Sequence, residues 1–231
     1  NKTAIYVATA KGSKLTPFQA SGCMSVTHSI IISIWCGWIL LKDEWNFVDP
    51  STQFQANMLA FSLSYFVVDA VLCLTVLRDF EGSCHHITVV WGQFAALHSG
   101  YGGYQLAWFL FVAELSTPWL YLFQTGLAPE GSFLALASQA IFAVLFLVGR
   151  MVIAPYMATW LCDSPTTPVE VKISCLVILG ISAVWATRIL KAVMTFLRGD
   201  AKEEISGLSE VREKRNSNES FSAAPKVYVR S

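Results

Sequence analysis

The first five apolar stretches of this 231-residue chain contain or border seven acidic, basic or histidine side chains: His28, Asp69, His85, His86, His98, Glu114 and Arg150. A lone charge at the centre of a hydrocarbon layer costs roughly 2.5 to 10 kcal/mol or more, so these groups must face a shared interior where they pair or line a hydrated cavity. Histidine beside a carboxylate can move protons near neutral pH, with the carboxylate holding its tautomer; the same groups can also hold a polar headgroup. The densest cluster is CHHITVVWGQ, residues 84–93. Neighbouring histidines on a helix point about 100° apart, so one of His85 and His86 can face a cavity while the other orients it. His86 and Gln93, seven apart, share a face. Cys84, His85 and His86 have no second ligand motif, and the six cysteines show no CxxC or zinc spacing, so no metal is expected. His28 and His98 read most simply as hydrogen-bonded packing residues.

The stretch VAELSTPWLYL, residues 112–122, sets a glutamate and a proline in the middle of an apolar run. Pro118 has no amide for the carbonyl of residue i−4, which is Glu114, so the helix is expected to bend there. Ser116, Thr117, water or a substrate can meet the freed carbonyl, making a kinked polar notch of the kind that forms binding sites in membranes. The plainer alternative is a kink fitted to its neighbours, with Glu114 paired to Arg150 for stability. Tyr65, Asp69 and Cys73 recur every four residues and should face inward, leaving Phe61, Val68, Leu72 and Val76 outside. Gln139 and Arg150, eleven apart, are expected on one stripe roughly 16 Å long.

The elements that must position these groups follow from composition. Hydrophobic residues make up 54% of the chain and charged ones only 14%, which is the balance of an integral membrane protein. The expected fold is an all-α polytopic bundle of six spans: 22–41, 56–77, 86–101, 104–124, 132–155 and 171–195. The third is short, about 16 residues, and its Gly-rich end SGYGGY leaves a tilted or re-entrant segment open. Residues 1–20 form a juxtamembrane segment and 21–197 the membrane domain. Residues 198–231 form a polar tail expected to be disordered and cytosolic. Lys2, Lys11, Lys14, Arg78 and the tail collect on one side, against Lys42 and Lys172 on the other, which puts both ends in the cytosol. The absence of a soluble domain excludes water-soluble catalytic architectures and nucleic acid as a partner.

SVTHSIIISIW from Ser25, SYFVVDAVL from Ser64, CHHITVVWG from Cys84, VAELSTPWLYL and FLVGRMVIAPY from Phe146 occur in an order and spacing that resembles the TLC-domain family. That family includes the ceramide synthases and the translocating-chain-associated membrane protein. The resemblance covers about residues 20–195. His85, His86 and Thr88 match the first half of the ceramide synthase motif; the His-Asp and second Asp that should follow are replaced by Val112, Ala113 and Glu114. The ELSTP run followed by an inward arginine resembles the smaller TLC-domain-containing branch instead. The resemblance also implies one more span upstream of Asn1, with an exoplasmic amino terminus, and an endoplasmic reticulum location, the plasma membrane being second.

Three functions fit these residues. In the first, a polar cavity of His28, Asp69, His85, His86, Gln93, Glu114, Ser116, Thr117 and Arg150, beside the Pro118 kink, binds, senses or moves a phospholipid or sphingolipid. In the second, an acyltransferase uses acyl-CoA as co-substrate and no other cofactor, with His85 or His86 as base and Asp69 or Glu114 as its support; Arg78 and Lys14 would attract the CoA phosphates. In the third, an adaptor engages partner proteins through its tail.

Overall fold

The computed structural model describes residues 16–198 apart from Asn46, Gly126 and Glu130. Most of the amino-terminal segment, Lys14, and all but the first residue of the polar tail lie outside the described residues. Helix α1 (Pro17–Lys42) starts at a capping box: the Thr16 hydroxyl accepts from the Gln19 amide, the Gln19 side chain accepts from the Thr16 amide, and Pro17 occupies the first turn where its missing N–H costs nothing. Thr52 and Gln55 repeat the device for α2 (Gln53–Leu72). That helix loosens into a π-helical turn, Cys73–Leu77, and stops on Arg78, whose φ of 55° breaks the run. Asp79 caps α3 (Phe80–Ser99), and Gly100 ends it at φ 76°.

The fourth apolar run is two helices, α4 (Gly103–Glu114) and α5 (Thr117–Gln124), broken where Pro118 demands it. The fifth is α6 (Phe133–Val148), a second π-helical turn Gly149–Ile153, and α7 (Ala154–Asp163). Pro155 sits at the start of α7, so the wider turn before it absorbs the carbonyls that proline leaves without an amide. The run therefore reaches Asp163, eight residues past its expected end. The last helix is α8 (Val169–Arg198).

Among the described residues the only strand-like pairing is an isolated bridge between Pro50 and Tyr101, and every regular element is helical. Five runs among the described residues are long and apolar enough to cross a membrane: Pro17–Lys42, Gln53–Leu77, Gly103–Gln124, Phe133–Asp163 and Val169–Arg198. The third expected span differs from expectation. Its helix begins at Phe80 rather than His86 and runs unbroken for 20 residues, yet Glu81 and three histidines keep it below the apolarity of the other five.

Two units divide the chain, Asn1–Ala186 and Thr187–Ser231. In the first, Ile32, Met58, Leu59, Phe66, Ala107 and Leu161 belong to one buried cluster. The connections 43–52, 100–102 and 164–168 meet at one end, where the Gln105 side chain donates to the Phe47 carbonyl (2.8 Å) and to Thr167 (3.2 Å). Ser164 donates to the same carbonyl, and the Ser51 amide donates to the Gly100 carbonyl at 2.8 Å. Trp45, Trp108 and Trp160 pack edge to face there, as an aromatic belt at a membrane surface would. Large side chains such as Ile34, Leu41 and Phe133 stand more than two-thirds exposed, which water penalises and lipid does not. The described part of the second unit, 187–198, is the helical end of α8 and carries Lys191 and Arg198.

Candidate functional site

The break between α4 and α5 supplies the centre of the site. Glu114 ends α4 and is buried; Ser116, also buried, turns back so that its hydroxyl donates to the Ala113 carbonyl at 3.3 Å. Arg150 reaches the same carbonyl through one terminal nitrogen (3.3 Å) and donates to Ser182 on α8 through the other (3.2 Å). Its guanidinium also stands over the Phe146 ring at 5.3 Å. A helix C-terminus carries unpaired carbonyls and a partial negative charge, so the end of α4 draws the cation directly. The freed carbonyl that collects donors is thus Ala113, one residue before the Glu114 carbonyl expected from the proline. Arg150 spends its terminal nitrogens on Ala113 and Ser182 rather than closing a direct ion pair on Glu114. Glu114 Oε2 instead lies 4.0 Å from His28 Nδ1.

His28 lies flat against Tyr65, ring centroids 3.8 Å apart, and edge-on to Phe66. Tyr65 in turn reaches Ser25 (2.8 Å) and Asp69 (3.2 Å). Asp69 accepts from Ser21 at 3.1 Å and stands 3.1 Å from His86 Nε2. On this side Asp69 and Tyr65 are internally paired, whereas both His28 ring nitrogens and His86 Nδ1 are buried without a hydrogen-bond partner. Tyr65, Asp69 and Cys73 face inward and Phe61, Val68 and Val76 outward, as their spacing requires, whereas Leu72 is half-buried rather than outside.

The other side is open. A cleft of about 640 Å³, counting its mouth, is bounded by α3, α4, the second π-helical turn and α8. Its walls are apolar, among them Phe109, Leu110, Ile178 and Leu179, and its polar wall consists of His85, Gln93, Glu114, Arg150, Ser174 and Ser182. Three buried polar atoms on these residues have no partner: His85 Nδ1, Gln93 Oε1 and Arg150 Nε. Such atoms are rare in folded interiors, and their gathering along one cleft marks a place for a ligand or ordered water.

Of the two adjacent histidines, one lines the cleft and the other does not. His85 faces the cleft, tilted against Trp185 at 5.2 Å; His86 faces α2 and takes the Asp69 carboxylate. Gln93 joins the cleft while donating to Ser62 at 3.0 Å. Thr117 and Pro118 are half-buried at the start of α5. His98 stays out of the polar interior: it is exposed and stacks on Phe94, with centroids 6.1 Å apart. Gln139 is exposed as well, because the first half of α6 turns Ala135 and Ser138 inward and the π-helical turn resets the register before Arg150. Sequence reasoning missed Ser62, Ser174 and Ser182, whose only signal is a small hydroxyl in an apolar run.

A family model described as the TLC domain matches residues 19–191. TLC domain-containing protein 4 of Xenopus tropicalis is 31% identical over 144 residues, which cover 58% of this chain and 55% of that protein. The chain thus spans about half the length of this curated relative. No solved structure matches.

Proposed function

The chain belongs to the TLC-domain family, and from that premise we propose that it handles membrane lipid, holding a polar headgroup in the cleft between α3, α4 and α8. The observation that carries this reading is the set of three unpartnered atoms, His85 Nδ1, Gln93 Oε1 and Arg150 Nε, on one polar wall facing apolar ones. Arg150 Nε suits an anionic oxygen, Gln93 Oε1 suits a hydroxyl or amine, and an acyl chain fits along Leu110, Ile178 and Leu179. In this reading α3 completes a six-span bundle, its polar face satisfied against α2 and the cleft. Both ends lie in the cytosol, and the endoplasmic reticulum is the working location.

Protein purified in native nanodiscs should carry a stoichiometric amphiphile that His85→Ala and Gln93→Leu reduce severalfold while the helical content is kept. Equal lipid content in both variants would remove the cleft from consideration. A second reading, acyl transfer from acyl-CoA, draws on the Asp69–His86 contact at 3.1 Å, the arrangement of a supported base. Against it, the supported histidine is not the one on the cleft. Labelled acyl-CoA and a panel of amine and hydroxyl acceptors should yield a product that disappears in His86→Ala if this reading holds.

A further inference from the structure

We propose that Asp69, Cys73 and His86 form a binding site for a divalent transition metal of the zinc class, with three protein donors and one position left open. One ligand atom from each lies within 4.8 Å of the others. Asp69 and Cys73 stand four apart on one face of α2, and the π-helical turn begins at Cys73. His86 comes across from α3, its Nε2 3.1 Å from Asp69 Oδ2. Donors around tetrahedral zinc, at bond lengths of about 2.0 to 2.3 Å, lie roughly 3.3 to 3.8 Å apart, so side-chain movement of about an ångström closes the set.

The donor types select the ion. Thiolate, imidazole and carboxylate together suit zinc or cobalt, whereas magnesium and calcium require oxygen throughout. The carboxylate is already held in place: Ser21 hydrogen-bonds Oδ1 at 3.1 Å and Tyr65 lies 3.2 Å from Oδ2, the kind of support that orients metal ligands. A second carboxylate is near. Asp79 Oδ2 and Cys73 Sγ both lie close to the point a Gly82 Cβ would occupy, at 2.6 and 3.5 Å, so the glycine keeps open the space between them. Asp79 is exposed at the head of α3, which gives the ion a route in from the end of the bundle. Binding would release the Cys73 thiol proton and occupy the His86 lone pair, so a metal-loaded His86 could not also serve as a general base.

The test uses untagged full-length protein, stripped with chelator and reloaded with Zn²⁺ or Co²⁺. About one zinc per chain should be retained after desalting, and cobalt should give a thiolate-to-metal charge-transfer band. Both should be lost in Cys73→Ser and kept in Cys84→Ser. Tyr65→Phe should weaken zinc binding by about 10-fold. A measurement on the wild type alone guards against misfolded variants: zinc should slow maleimide modification of Cys73, located by peptide mapping, by at least about 10-fold. No cobalt band, a band that survives Cys73→Ser, or unchanged Cys73 modification overturns the proposal. Lipid content of the cleft is a separate readout and decides nothing here.

Discussion

Arg150 shows how much a single buried side chain can bind together. Its two terminal nitrogens tie the end of α4 to α8 through the Ala113 carbonyl and Ser182. Lysine would keep the charge but cannot present a planar fork to two acceptors, so Arg150→Lys should cost about 1 to 3 kcal/mol, seen as a lower melting temperature in detergent. His28 is a contrasting case. Its stacking on Tyr65 would survive in His28→Phe, and the substitution removes two ring nitrogens that lack hydrogen-bond partners. Stability should therefore hold within about 1 kcal/mol. A loss well beyond that would show that the 4.0 Å approach to Glu114 is a genuine charge pair.

At the scale of elements, the cleft depends on how closely α3 can approach α8. A Cβ on Gly92 would meet Ser174 Oγ at 2.1 Å and its Cβ at 2.9 Å, so the helices must separate to admit one. Gly92→Ala should destabilise by about 1 to 3 kcal/mol, and adding Ser174→Gly should restore most of the loss, as a thermal melt would show. The α4–α5 break makes a different demand. Pro118→Ala returns an amide to the helix and relaxes the turn at Leu115 and Ser116, with little loss of burial. The expected result is an unchanged melting temperature with reduced copurified lipid; unchanged lipid would make the break a packing feature only.

For the whole molecule, the six-span reading requires α3 to cross the membrane, although its composition alone does not place it with the other five. Arg78 and Tyr101 flank it. Arg78→Cys and Tyr101→Cys, in a background lacking the native cysteines, should react with an impermeant maleimide from opposite sides in oriented microsomes. Labelling from one side would fold α3 back as a re-entrant element. The apolar runs and the break at Pro118 were legible in the sequence, because hydropathy, length and a missing amide are properties of residues close together in the chain. So was the inward turn of Asp69, Glu114 and Arg150, since hydrocarbon tolerates no isolated charge from any direction. Partner choice was not legible. Asp69 meets His86 rather than His85, Arg150 meets Ser182, and Gln139 faces outward, all through helix rotations and π-helical turns that shift register by one residue and about 100°. Local sequence determined which residues had to be inside; only the packing of helices distant in the chain decided which of them touch and where a cleft remains, because that depends on how neighbouring helices are rotated against one another.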